Sequence, residues 1–314
     1  MHWRRIVLQL AQASQAGAGL AVLLSEQYSL YTTHNRPVTV LEPPSWRAVR
    51  PRAALVRLAR FSDLLVTLSV HRLSVRYKQS HLGAAWAVLQ PLAIMVTFTA
   101  VFSLLGGVPS EGIPYGLFAY AALVPWTAFS SGLSSATGAL TGHAYLLGKV
   151  SFPREILPLT YVVAAVIDGA IACVALAGLM AWYGIGLSPT ALWSLAALGL
   201  LVAWLVGTGL VLSAVQVRHR DVGLAVPVLL QMWMFASPVV YPLALARAKL
   251  SPGLYFLYTL NPMAGIIDTF RRGLVLHTAP DPMAIGVAAV VVCTLLPFAY
   301  LYFKYAELTM ADVV

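Results

Sequence analysis

Long apolar segments alternate with short polar ones along most of this chain. Six of them are nearly free of charged residues and cover residues 83–105, 115–139, 157–182, 191–215, 222–240 and 282–303. Each approaches the ~20 residues that an α-helix needs to cross ~30 Å of hydrocarbon. The pattern therefore predicts an all-α integral membrane protein, with six transmembrane helices in a domain that covers residues 81–314.

The segment before the first predicted span, residues 51–80, has a helical pattern of a different kind. Its apolar residues recur at spacings of three and four, which places them on one stripe of a helix with basic neighbours. Such an amphipathic helix is typical of the cytoplasmic membrane interface, although a small soluble domain can carry the same pattern. Residues 1–50 are more polar, and we expect a poorly ordered N-terminal extension there.

Composition and charge agree with a membrane location and predict an orientation. The 314 residues are 60% hydrophobic and 10% charged, whereas a soluble domain has roughly 25% charged residues. With the N-terminus in the cytoplasm, the predicted cytoplasmic segments hold 16 of the 20 Lys and Arg residues, as the positive-inside rule requires. Both termini are therefore predicted to be cytoplasmic, and the net charge of +9 does not indicate a nucleic-acid partner.

The last predicted outside segment, residues 241–281, is too apolar to be a solvated linker. Its helical pattern is interrupted at Pro252 and again at Asn261 and Pro262. Two short helices that dip back toward the membrane fit this pattern, because such half-buried segments are tolerated only when they pack against protein.

The sequence shows no pattern for nucleotide binding, metal binding or covalent chemistry. The nearest match to a phosphate-binding loop, residues 142–150, has one residue too many between its glycines, and Val150 replaces the hydroxyl after Lys149. Cys173, Cys293 and the scattered histidines lack the spacing of a metal site. We therefore expect no catalytic residue, no metal and no cofactor in this chain.

Asp168 is the one acidic residue well inside a predicted span. An ionised carboxylate there costs ~3 kcal/mol unless it is paired. The functional interpretation is a proton relay or a substrate contact. Because a single acid makes a poor relay, we favour a carboxyl that is bonded to a neighbouring helix or faces water.

Three groups of motifs resemble the polysaccharide-exporting branch of the type-2 ABC transporter permeases. The first is RYKQSHLGAAW at 76–86 with LQPL at 89–92, and the second is LVPW at 123–126 with LLGKVSFPREILP at 146–158. The third comprises RDVG at 220–223, SPVVYP at 237–242 and LNPM at 260–263. Their order and spacing are similar to the family's over about residues 40–314.

The resemblance assigns roles to particular segments. Residues 139–155 resemble the family's coupling helix, which sits in a cleft of the ATPase, with candidate contacts at Tyr145, Lys149, Phe152, Pro153, Arg154 and Glu155. From the residues alone, a plain positive-inside loop fits this segment as well. The interface helix would carry Arg72, Arg76, Tyr77, Lys78 and Gln79 along the cytoplasmic face. Residues 244–275 resemble the gate helices on the far side, with candidates Pro242, Tyr255, Asn261, Pro262, Asp268 and Arg271.

Aromatic residues cluster near the ends of the second and fifth predicted spans. Because sugar rings stack on aromatic side chains, they are candidates for a glycan channel: Tyr115, Phe118, Tyr120, Trp126, Phe129, Trp233 and Tyr241. The same residues fit the belt of Trp and Tyr that membrane proteins place at the interface, and the sequence leaves both interpretations open.

The resemblance implies a homodimeric permease of the bacterial cytoplasmic membrane that works with two copies of a separate ATPase. ATP and Mg²⁺ would bind to that ATPase, and the exported substrate would be a lipid-linked polysaccharide of the O-antigen or capsule type. A type-2 permease for a small drug or lipid is the alternative within the family. A lipid-modifying enzyme and an ion-coupled transporter are the alternatives outside it.

Overall fold

A computed structural model of the protein describes residues 56, 58–78, 83–145 and 152–310. The regular elements within these ranges are helices, which confirms the all-α prediction. In chain order they are α1 (Ser62–Lys78), α2 (Trp86–Phe98), α3 (Tyr115–Thr137), α4 (Ile156–Trp182), α5 (Ala191–Arg218), α6 (Val222–Phe235), α7 (Leu243–Lys249), α8 (Pro252–Thr259), α9 (Pro262–Arg271) and α10 (Pro282–Met310). The predicted N-terminal extension and the first residues of the predicted interface helix lie outside the described residues.

Four helical segments within the described ranges are long and apolar enough to cross a membrane. They are Trp86–Ser103, Ile156–Trp182, Ala191–Arg218 and Pro282–Leu308. The second predicted span forms α3, and the fifth forms the 14-residue α6, which extends only about 21 Å at 1.5 Å per residue. Helix α6 ends before the predicted boundary of the fifth span. Ser237 precedes Pro238, and the residue before a proline is disfavoured in a helical conformation. The multi-pass membrane fold is confirmed, and the count of six spans stays a prediction.

Helix α3 forms the centre of the main core. Its side chains from Leu117 to Val124 are buried all round the helix, as expected for a helix that is apolar on every side. It packs against α4, α5, α6 and α9. At Gly132 the helices approach so closely that a Cβ atom would lie 2.7 Å from the Ala165 Cβ and 2.8 Å from the Leu205 Cδ2. Glycine therefore sets the separation of α3, α4 and α5 at this point.

A second apolar cluster closes the end that the sequence places in the cytoplasm. Leu64 and Leu68 of α1 pack there against the chain that follows α3, the start of α4 and the end of α10. The predicted interface helix therefore does more than lie along a membrane surface, because α1 packs against the first half of α4.

The opposite end carries three short helices, α7, α8 and α9, where the sequence predicted two. The additional helix, α7, begins after Pro242 and ends before Pro252, so both boundaries are at prolines that the sequence shows. Helix α9 packs tightly on α10: a Cβ atom at Gly265 would lie 2.8 Å from the carbonyl carbon of Ala284 and 3.0 Å from the Ala288 Cβ.

Candidate functional site

A cavity of ≈ 310 Å³, whose lining combines apolar surface with a set of polar side chains, lies among α2, α3, α4 and α6, beside the end of α1. Helix α3 contributes hydroxyl groups at helical spacing, so these groups share one face. Helices α2 and α6 each add an amide and apolar neighbours. The polar and indole-bearing side chains that line the cavity are Arg76, Tyr77, Trp86, Gln90, Trp126, Thr127, Ser130, Ser131, Ser134, Asp168 and Gln231. This set offers hydrogen bonds and indole surface to a hydroxylated ligand inside an otherwise apolar fold.

Asp168 closes one side of the cavity through contacts with the interface helix. The Arg76 Nη1 lies 2.6 Å from the Asp168 Oδ2, and the Tyr77 hydroxyl donates to the other carboxylate oxygen. This confirms the interpretation of Asp168 as a carboxyl bonded to a neighbouring helix. Arg76 and Tyr77, adjacent in the first motif, thus each provide a partner for one oxygen of the same carboxylate.

Arg72 forms a second contact between the interface helix and the rest of the chain. Its guanidinium carbon lies 3.1 Å from the centre of the Tyr161 ring, and its Nη2 lies 3.5 Å from the His143 Nε2. His143 Nδ1 is 2.9 Å from the Ala139 carbonyl oxygen, so Nδ1 donates and Nε2 accepts. Burial and the charge of Arg72 lower the pKa of His143, which keeps the ring neutral and able to accept. Lys78 is exposed, and Gln79 lies outside the described residues.

The structure places most of the predicted channel aromatics in the protein core. Phe118, Tyr120 and Phe129 are fully buried, and Tyr115 is buried with its hydroxyl 2.8 Å from the Val240 carbonyl oxygen. Trp126 lines the cavity. The buried rings have packing partners within the chain. Their role in a glycan channel stays a prediction.

The two remaining channel candidates lie near the predicted gate helices. Trp233 packs edge-on against Phe129, with ring centres 5.4 Å apart, and Tyr241 donates to the Phe235 carbonyl oxygen at 3.2 Å.

The functional candidates that the sequence did not identify are the hydroxyl and amide side chains of the cavity. Polar residues at spacings of three and four within an apolar span were the available signal.

The gate candidate Asn261 joins two of the family-like motifs. Its Oδ1 accepts from the Met263 backbone N–H at 3.1 Å, which caps α9, and from the Trp233 Nε1 at 3.0 Å. Its Nδ2 donates to the Ser237 Oγ at 2.9 Å. Pro262 then occupies the first turn of α9, where a missing N–H costs nothing.

A buried group of charges lies at the end of α9. Arg271 is fully buried, donates to the Pro238 carbonyl oxygen at 3.2 Å, and lies with its guanidinium carbon 3.8 Å from the centre of the Phe118 ring. Asp268 lies 3.8 Å from Arg271 and 2.7 Å from Arg272. Burial raises the pKa of Asp268 and lowers that of Arg271, and the attraction between the two groups opposes both shifts.

The gate candidate Tyr255 and a second residue of the predicted gate segment, Arg247, meet at Asp281, which the sequence did not single out. The Tyr255 hydroxyl donates to the Asp281 Oδ2 at 3.2 Å, and the Arg247 Nη1 lies 2.7 Å from the same oxygen. The Asp281 Oδ1 accepts from the Met283 and Ala284 backbone N–H groups and so caps α10. Pro242, another candidate, stands immediately before α7.

The coupling candidates divide into exposed and buried residues. Tyr145 is 62% exposed, whereas Phe152 is 6% exposed and packs in the cytoplasmic apolar cluster, and Pro153 and Glu155 are buried. The ring of Phe152 packs within the chain, and its predicted contact with the ATPase stays a prediction. Arg154 is half-buried and donates to the Glu307 carbonyl oxygen at 3.0 Å. Lys149 lies outside the described residues.

Comparison with known proteins identifies the family. Residues 64–275 match the family model described as ABC-2 type transporter. The O-antigen export system permease protein RfbA of Myxococcus xanthus is 28% identical over 249 residues, which cover 76% of this chain and 92% of the relative. RfbA of Klebsiella pneumoniae is 26% identical over 67% of this chain and 79% of its own. The polysialic acid transport protein KpsM of Escherichia coli is 23% identical over 66% and 79%.

The family match covers most of α1, the cavity and the segments predicted to form the coupling helix and the gate helices, which is more than half of the chain. It also agrees with the all-helical fold and with the four described helical segments that are long and apolar enough to cross a membrane. The chain therefore belongs to the ABC-2 type transporter family, as a multi-pass permease of the bacterial cytoplasmic membrane.

Proposed function

We propose that this chain is the permease of an ATP-driven exporter that moves a lipid-linked polysaccharide across the cytoplasmic membrane. The observation that carries the proposal is the cavity, whose hydroxyls, amides and indole rings match the chemistry of a glycan. The names of the relatives, O-antigen export permease and polysialic acid transport protein, support the same substrate class. A small apolar drug would gain little from Ser130, Ser134 and Gln231.

The proposal includes a homodimer with two copies of a separate ATPase, which binds ATP and Mg²⁺. Helices α2 and α6, which border the cavity, expose apolar side chains such as Val96, Leu224 and Met232. A second copy of the chain would cover these faces and complete the path that the cavity begins. The ATPase would dock on the coupling segment, where Tyr145 is exposed.

Narrowing the cavity should block export without affecting the fold. We expect Ser131→Leu and Gln231→Leu each to lower the amount of exported glycan by about tenfold or more, because each removes a hydrogen-bonding group worth about 1 kcal/mol and adds bulk. The measurement is cell-surface glycan in a strain that carries the variant as its sole copy. Ser135→Leu is the matched control, because Ser135 is exposed on α3 and does not line the cavity. Export that is equal in all three variants would contradict the glycan role of the cavity.

We expect Tyr145 to contribute to binding of the ATPase and Phe152 to contribute to folding of the permease. We expect Tyr145→Asp to reduce co-purification of the ATPase encoded beside the permease, while the permease itself stays at its normal level. Phe152→Asp should instead lower the permease level, since it places a charge in an apolar cluster. The measurement is the ratio of ATPase to permease after affinity purification. If the unaltered permease retains no ATPase, the exporter proposal fails.

A further inference from the structure

We infer that α10 is the mechanical link between the ATPase-facing segment and the gate helices, and that Glu155 and Lys304 fix its cytoplasmic end. The inference rests on the proposed function, because it needs an ATPase that acts on the coupling segment. Within the described residues, α10 has polar contacts with the coupling segment at one end and with gate helices at the other.

The cytoplasmic contact is made by a buried carboxylate. Glu155 is 0% exposed and stands where the coupling segment enters α4. Its Oε2 lies 2.7 Å from the Lys304 Nζ, and its Oε1 accepts from the Tyr300 hydroxyl at 3.4 Å. The adjacent Arg154 donates to the backbone of Glu307. Two consecutive residues of the coupling segment are thus joined to the last turns of α10.

An apolar contact alone would hold these elements together, because Phe152 and Phe303 already lie in the same apolar cluster. A buried ion pair adds little net stability relative to apolar side chains, but it has a defined geometry. Lys304 also lies 2.8 Å from Glu307, so its charge is held between two carboxylates. The arrangement therefore fixes the register between the coupling segment and α10.

The opposite end of α10 contacts all three gate helices. Asp281 caps α10 and pairs with Arg247 of α7 and Tyr255 of α8. Helix α9 lies directly on the first turns of α10, where Gly265 leaves no room for a side chain against Ala284. One residue and one close helix contact therefore connect α7, α8 and α9 to the same helix terminus.

Helix α10 is long enough to connect the coupling segment with the gate helices. Its 29 residues extend about 43 Å at 1.5 Å per residue. Pro297 lies inside α10 and removes one backbone hydrogen bond, so it is the packing of α10 along α5 that would carry a displacement of the coupling segment past this point to Asp281. The gate then moves because Arg247 and Tyr255 follow that carboxylate.

The test measures the gate's response to nucleotide in the complex of the full-length chain with its ATPase. A cysteine placed at Leu257→Cys on α8, where the side chain is 62% exposed, is labelled with a membrane-impermeant maleimide after Cys173→Ala and Cys293→Ala. In the otherwise unaltered permease we expect ATP to change the labelling rate by about fivefold or more, a typical coupling between two sites.

Variants at both ends of α10 should remove that response. We expect Glu155→Gln, Lys304→Met and Asp281→Asn to abolish the ATP-dependent change while the complex still hydrolyses ATP. Asn is a good helix cap, so Asp281→Asn keeps the start of α10 and removes the charge that holds Arg247. The charge exchange Glu155→Lys with Lys304→Glu, made together with Glu307→Gln so that two carboxylates do not face each other, should restore at least half of the response. If Glu155→Gln and Lys304→Met fail to accumulate, the exchange variant and Asp281→Asn provide the test.

An unchanged response in Asp281→Asn, or in a folded Glu155→Gln, would overturn the inference and leave the exporter proposal standing. An exchange variant that assembles with the ATPase but gives no response would overturn it as well. A different result identifies failure of the exporter proposal itself: the otherwise unaltered permease would then retain no ATPase and show no response to ATP. A purely structural role for Glu155 would lower protein levels without separating ATP hydrolysis from gate movement.

Discussion

Asp268→Leu is expected to destabilise the protein by about 3–5 kcal/mol, because it leaves a buried guanidinium without its carboxylate. Arg271 is fully buried, and its polar contact to the Pro238 carbonyl oxygen does not neutralise its charge. Arg272 would also lose its 2.7 Å contact with Asp268, but its side chain is 21% exposed and it keeps Glu111 at 3.5 Å, so the larger cost is at the fully buried Arg271. The measurement is the midpoint of thermal unfolding in detergent together with the amount of protein in the membrane.

The double change Asp268→Leu with Arg271→Leu provides the decisive comparison. Replacing both members of a buried ion pair with apolar side chains is often nearly neutral, so most of the lost stability should return. Asp63→Leu is the surface control, since Asp63 is exposed in the first turn of α1. If Asp268→Leu unfolds at the same temperature as Asp63→Leu, the buried ion pair does not contribute to the stability of the protein.

Gly132→Val is the second substitution with a large expected effect. Its Cβ atom would overlap with Ala165 and Leu205, at 2.7 and 2.8 Å, so α3, α4 and α5 would have to separate. Overpacking of this kind costs about 1–3 kcal/mol, and the cost is at the upper end where two helices must move. We expect little monodisperse protein in size-exclusion chromatography after extraction from the membrane.

Gly178→Val is the matched control for that experiment. Gly178 lies on α4, one of the three helices concerned, and its missing Cβ has open space around it. The helix-propensity effect of the substitution is the same at both positions, so a difference between the variants reports the contact alone. Equal recovery of Gly132→Val and Gly178→Val would contradict the close approach of the three helices.

The positions of the long helices were predictable from sequence with small errors. Helices α3, α4 and α5 begin within one residue of the predicted starts of their spans. A helix satisfies its backbone hydrogen bonds within its own segment, so apolar runs of sufficient length show where it lies. The prediction of the fifth span extended too far, because hydropathy continues through Val239 and Val240 after the helix has ended.

The roles of individual side chains were less predictable. Phe152 and Tyr145 have similar aromatic character in sequence, yet one ring is buried among the helices and the other is exposed. Phe118 resembles a channel residue by type, and the structure gives it a buried guanidinium as its neighbour. Burial depends on which helices surround a residue, and a one-dimensional pattern does not contain that information.

The sequence by itself determined the membrane environment, the helical class and the family, because hydropathy and motif order are properties of continuous segments. Only the tertiary structure decided the pairings of Arg76 with Asp168, of Glu155 with Lys304 and of Arg247 with Asp281. In each pair the partners are distant in sequence. Other residues of the same charge are present in the chain, so composition cannot show which acid pairs with which base. Helix packing selects it, because a charge buried in a low-dielectric interior must lie beside its partner.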